Sequence, residues 1–242
     1  MAIEVRRAYA AELLGTALLL ATVVGSGVMG EALAGGNKAI ALLANAVATG
    51  GVLYVLILGL GPISGAHFNP IVTLIEAGFR RLPRARVPGY LLAQLAGALG
   101  GVVLAHAMFG LDLVQHSRHV RSTPGELLGE VVATFGLWLV IATSSRARPA
   151  ATPAAVALYI VAAYWFTAST SFANPAVTIA RSLSDTFAGI RGADVAPFIA
   201  AQAIGGSLAA ATTAWLLPRA GDATNSCVHP GDVASSPAME LR

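Results

Sequence analysis

Two asparagines, Asn69 and Asn174, each stand directly before a proline and an apolar run too short to cross a bilayer. Asparagine is a favoured N-cap, and proline suits the first helical turn, where its missing N–H would have no partner anyway. Asn69-Pro70-Ile71 and Asn174-Pro175-Ala176 are therefore read as the starts of two half-helices, at about 67–79 and about 173–184. A side-chain amide at such a start can donate N–H groups, and the aligned peptide dipoles add positive potential there. That chemistry suits a neutral oxygen and repels a cation. Two acids, Glu12 and Glu130, lie inside otherwise apolar runs. An ionisable group at that depth is by default a functional candidate. His67, two residues before Asn69, has no neighbouring metal ligands in the sequence and reads as a hydrogen-bonding loop histidine.

The elements that must hold these groups are membrane spans. The chain is 56% hydrophobic and only 11% charged, with a mean hydropathy of +0.71, whereas a soluble domain carries about a quarter charged residues. A bilayer core needs about 20 apolar helical residues. Six stretches qualify, near 8–30, 39–60, 86–108, 125–145, 152–168 and 194–217. The expectation is an all-α membrane protein with six transmembrane helices and two re-entrant half-helices. Irregular backbone at membrane depth is tolerated where it lines a cavity, so the half-helices mark one.

The chain is also written twice. Ser64-Gly65-Ala66-His67-Phe68-Asn69-Pro70-Ile71-Val72-Thr73-Leu74 matches Ser169-Thr170-Ser171-Phe172-Ala173-Asn174-Pro175-Ala176-Val177-Thr178-Ile179. Glu12 and Thr16 match Glu130 and Thr134, and Gln94 and Gly97 match Gln202 and Gly205. Three spans per half force the halves into opposite orientations, an inverted 3+3 repeat whose broken helices meet near the midplane on a substrate path.

Those two motifs in matching frames, with Ala11-Glu12-x-x-Gly15-Thr16 ahead of the first, resemble the aquaporin and aquaglyceroporin family over roughly residues 8–217. The resemblance implies a channel domain over 1–217, with repeats at about 8–108 and about 125–217 and a disordered cytoplasmic tail at 218–242. It implies a homotetramer with no cofactor or metal. It makes Glu12 and Glu130 structural acceptors for the backbone of the re-entrant loops. Ile71 departs from the family's usual alanine, a change expected to touch packing more than chemistry.

Four family positions form a constriction. Carried over by spacing, twenty residues before Asn69 gives Thr49, twelve before Asn174 gives Ala162, three before gives Ser171, and the residue after Ala176 is Val177. Water-selective members carry an aromatic residue, a histidine, a small residue and an arginine there, and glycerol-passing members keep the arginine. At these four positions the aromatic ring, the histidine and the arginine are all missing, which implies a wide, uncharged, mildly polar ring. The combination resembles the bacterial aquaglyceroporins associated with arsenic resistance and implies small neutral solutes: water, glycerol-like polyols and arsenous acid, an uncharged trihydroxy species. Arg181, four residues past Val177, shares its helix face and stands as a vestibule candidate. It either hangs over the pore as a cation barrier, or turns to loop carbonyls or to Asp185.

Even span number puts both termini on one side. Ten of the 15 Lys and Arg residues fall on that side and five on the other. The positive-inside rule then makes the termini cytoplasmic, in the inner (plasma) membrane. The short Met1–Arg7 lead reads as no cleavable leader. The single cysteine, Cys227, excludes an intrachain disulfide. Scattered basic residues and a net charge of +3 argue against nucleic acid as a partner and leave the lipid bilayer. Two alternatives stay open: a water-selective aquaporin, and an ion-coupled secondary transporter, which can also use inverted repeats. An intramembrane hydrolase would need a nucleophile and base that the spans do not supply.

Overall fold

The computed structural model describes residues 2–217. The expected tail at 218–242, with Cys227, lies outside the described residues. Eight α-helices follow in order: α1 (Ala2–Leu33), α2 (Lys38–Ser64), α3 (Pro70–Gly78), α4 (Val87–Met108), α5 (Pro124–Ala147), α6 (Thr152–Phe166), α7 (Pro175–Arg181) and α8 (Gly192–Leu216). Six helical segments are long and apolar enough to cross a membrane, α6 qualifying with the short 3₁₀ turn before it. Their outward faces carry Leu14, Leu58, Leu92, Leu128, Leu158, Ile204 and Trp215, all exposed, the signature of a surface meant for lipid.

Local sequence sets the starts. Asn37 caps α2 by accepting from the Ala39 and Ile40 N–H groups. Thr123 and Glu126 form a reciprocal capping box at α5, which gives Glu126 its role. Packing then follows the repeat. α1 packs on α4 as α5 packs on α8, and each half-helix also lies against the third span of the opposite half, α3 on α8 and α7 on α4. Glycine permits the closest approaches. A Cβ at Gly97 would collide with the Leu13 carbonyl of α1, and one at the matching Gly205 would collide with the Val131 carbonyl of α5.

The half-helices are shorter than the 67–79 and 173–184 expected from sequence. α3 begins only at Pro70 and α7 ends at Arg181. The later starts follow from the backbone ahead of each: Ala66, Phe68, Thr170, Ser171 and Ala173 all have left-handed φ, between 46° and 60°. Non-glycine residues adopt this at a cost of about 1 kcal/mol or more each and need their surroundings to hold them there.

Candidate functional site

The buried acids hold the strained loops. Glu12 accepts from the His67 N–H (2.9 Å), the Phe68 N–H (2.7 Å), the Ser64 hydroxyl (2.7 Å) and the Gln94 amide (2.8 Å). Glu130 accepts from the Phe172 and Ala173 N–H groups, both at 2.8 Å, and from the Gln202 amide at 2.6 Å. Gln94 also donates to Thr73, and Gln202 to Thr178, so each acid is tied to its half-helix through the third span of its own repeat. Peptides whose N–H groups face an acid turn the preceding carbonyls the opposite way. Residues 66–67 and 171–172 line the central cavity, so their carbonyls are turned toward it.

The two half-helices meet N-terminus to N-terminus. The Asn69 side-chain oxygen caps the Ile71 N–H, while its amide donates to the Ala173 carbonyl at 2.7 Å. Asn174 mirrors this, capping Ala176 and Val177 and donating to the Phe68 carbonyl at 2.7 Å. Each asparagine is thus a cap, a cross-link and a pore-wall group at once. One amide N–H is spent across the junction, and the second is left for the cavity that both residues line. Pro70 and Pro175 sit at the first helical position as expected. Ile71 packs where Gly206 of α8 leaves room, since a Cβ at Gly206 would collide with the Ile71 side chain. The volume added at Ile71 is matched by volume absent from the opposing span.

The cavity has a volume of about 680 Å³ and runs from Arg81, Arg86 and Glu76 past His67 and the two asparagines to Thr49, Tyr164, Val177 and Arg181. Between its polar stations the wall is apolar, with Leu19 and Val23 of α1, Leu53 and Ile57 of α2, Leu137 and Ile141 of α5, and Val156 and Ile160 of α6. His67 lies on this wall, its ring nitrogen 3.0 Å from the Thr73 hydroxyl.

Of the four filter candidates, Thr49, Ser171 and Val177 line the cavity and are buried. Ala162 does not. It lies on the exposed outer face of α6, and the wall positions of that helix are Thr152, Val156, Ile160 and Tyr164. Counting back twelve residues from Asn174 crosses the non-helical stretch at 167–174, where helical phase is lost. Tyr164 is the residue that was missed, and its hydroxyl lies 3.2 Å from Thr49 Oγ1. The ring therefore contains an aromatic group after all. The four-residue period of the α6 wall face was the available signal.

Arg181 takes one of its two expected directions, to a loop carbonyl, while staying on the pore side. It is only 2% exposed, and it is on the cavity wall. Its Nε donates to the Ala188 carbonyl, and its guanidinium carbon lies 3.4 Å from the Phe172 ring centroid. It does not pair with Asp185, which takes the Arg118 N–H at 2.9 Å and the Arg118 guanidinium at 2.8 Å. Those bonds hold the partly buried Asp185 carboxyl below its ordinary value. A second guanidinium, Arg121, was not singled out from sequence; it lies 5.0 Å from the Phe172 centroid but is spent on the Gly189 and Ser169 carbonyls. Burial, and then Arg121 and Arg181, keep the imidazole of nearby His119 below its ordinary value.

An inverted pair of half-helices, cross-linked at their N-termini beside a long cavity that both asparagines line, defines a membrane pore protein. The sequence pattern described as "Major intrinsic protein" matches residues 1–168. The chain is 51% identical over 214 residues to the aquaglyceroporin AqpS of Rhizobium meliloti (strain 1021), covering 88% of this chain and 91% of that protein. It is 34% identical over 187 residues to aquaporin NIP2-1 of Oryza sativa subsp. japonica, covering 74% and 61%. The X-ray structure of the aquaglyceroporin from Plasmodium falciparum shares the fold with a TM-score of 0.70 at 21% identity, over 86% of this chain and 94% of that one. This chain belongs to the major intrinsic protein family, a family of channels and not of enzymes.

Proposed function

We propose that this protein is a passive channel in the inner membrane for small uncharged solutes: water, glycerol-like polyols and arsenous acid. It works as a homotetramer with both termini in the cytoplasm. One observation carries the reading: the two acids buried deep in the spans, Glu12 and Glu130, are saturated by loop N–H groups and amides and do not line the cavity, while the acids that do line it, Glu4 and Glu76, stand at one end, with Glu76 paired to Arg81. A coupled transporter needs a free coupling-ion site on the path, normally with an acid. Instead, between the charged residues Glu76, Arg81 and Arg86 at one end and Arg181 at the other, the path offers neutral donors and acceptors spaced along an apolar wall, and the Asn69 and Asn174 amides at its centre donate to a passing oxygen. A solute with several hydroxyls exchanges its water hydrogen bonds for these, while the apolar wall holds no charge for long. The 51% identity to an aquaglyceroporin supports glycerol-sized solutes. The ten-to-five distribution of basic residues supports the orientation.

The solute range is tested by stopped-flow light scattering on proteoliposomes with water, glycerol, urea and arsenous acid. The expected result is glycerol and arsenous acid permeability at least about tenfold above protein-free vesicles. Fast water with glycerol at the lipid background would favour the water-selective reading, to which the Tyr164 ring lends a specific observation.

A further inference from the structure

We propose that Arg181 is the cation-excluding residue of this pore, supplying from the C-terminal turn of α7 the guanidinium that the position after Asn174-Pro175-Ala176 lacks. This rests on the channel reading and names the residue that sets its charge selectivity.

The geometry anchors the side chain without neutralising it. The Ala188 carbonyl takes the Nε–H, and the Phe172 ring covers one guanidinium face at 3.4 Å. These two contacts fix the direction of the group. Neither uses its two Nη groups, and among the described residues no hydrogen-bond acceptor takes them. The residue is nonetheless 2% exposed and lies on the cavity wall. The guanidinium thus belongs to the cavity wall and not to the outer surface.

Among the described residues no acid forms an ion pair with this guanidinium. Asp185 is held by Arg118, Asp194 by Arg191 and the Arg121 N–H, and Glu130 by Phe172, Ala173 and Gln202. A charge without a direct ion-pair partner on a confined wall of low dielectric acts on a passing ion far more strongly than it would in water. Val177, one turn back on the same half-helix, contributes neither charge nor donor. Beside Arg181 on the wall, the buried Ser171 hydroxyl also takes no protein partner. Together with the Thr49–Tyr164 hydroxyl pair, this makes a station with free donors for an oxygen-bearing neutral solute and a positive field against a cation.

The test compares wild type with Arg181→Ala, Arg181→Gln and Arg181→Lys in proteoliposomes. Proton flux under a clamped potential is read with an entrapped pH dye, and water permeability is read in the same vesicles. The quantity of interest is the ratio of proton flux to water permeability, which cancels differences in the amount of folded protein. Wild-type water permeability checks the channel reading separately. We expect the ratio to rise about tenfold or more in Arg181→Ala and Arg181→Gln, and to stay near wild type in Arg181→Lys. Arg181→Gln retains a donor for the Ala188 carbonyl, which keeps the comparison valid should the alanine variant fail to fold. An unchanged ratio in the two neutral variants overturns the proposal. So does a lysine variant that leaks like the glutamine one, because the charge would then not be the agent.

Discussion

Glu130→Ala is expected to cost about 3 kcal/mol or more of stability, the sum for stranding three buried donors. The carboxylate accepts from Phe172, Ala173 and Gln202 at 2.6–2.8 Å inside a fully buried site. Removing it strands two backbone N–H groups and an amide where water cannot replace the acceptor, each at about 1–3 kcal/mol. The loss also releases the left-handed Thr170, Ser171 and Ala173, whose conformations the acid maintains. Ser171 and the Asn174 cross-link would move with them, so the pore should close or disorder along with the loop. For a chain of this size the midpoint of thermal unfolding in detergent should fall by about 10 °C or more. Glu130→Gln should be milder, since an amide keeps one acceptor oxygen but turns its own N–H groups at donors. An alanine variant with a wild-type midpoint would show that the loop is held by something other than the acid.

Val177→Arg should reverse solute size preference. Val177 is 5% exposed and lines the cavity one helical turn before Arg181 on the same face of α7. A guanidinium there fills space that a three-carbon solute needs. It also adds a second positive charge close to the first, which discourages the two side chains from folding back together. Water needs less width and should be slowed less. The expected outcome in stopped-flow measurements is a fall of about tenfold or more in the ratio of glycerol to water permeability. Equal losses of both permeabilities at normal protein levels would mean that the constriction lies elsewhere.

Much of this arrangement was legible because an inverted repeat states each feature twice. Glu12 with Glu130, Gln94 with Gln202 and Asn69 with Asn174 stand in matching frames, and each pair makes matching bonds in the structure. Gly97 and Gly205 likewise face the same point on the first span of their halves. What was not legible depended on helical phase and side-chain direction. Ala162 was placed by counting through the irregular stretch before Asn174, and the count could not show that α6 turns Ile160 and Tyr164 inward. Position alone put Arg181 on the right face of its helix, but its direction is set by the Ala188 carbonyl and the Phe172 ring. Phe172 had no signal of its own, and Ala188 belongs to the loop 182–191, which is longer than its counterpart 79–86 in the first repeat. The starts of α3 and α7 moved because left-handed residues precede them, and alanine, phenylalanine and serine do not announce that conformation as glycine would.

The central claim is that solute crosses this protein down its own gradient, with nothing coupled to it. The most direct measurement is glycerol uptake into proteoliposomes over a range of concentrations, with and without proton and sodium ionophores. The account predicts an initial rate that rises in proportion to the glycerol gradient, does not change when the ion gradients are collapsed, and is the same for efflux as for influx. Uptake that accumulates glycerol above the outside concentration and is abolished by an ionophore would contradict it.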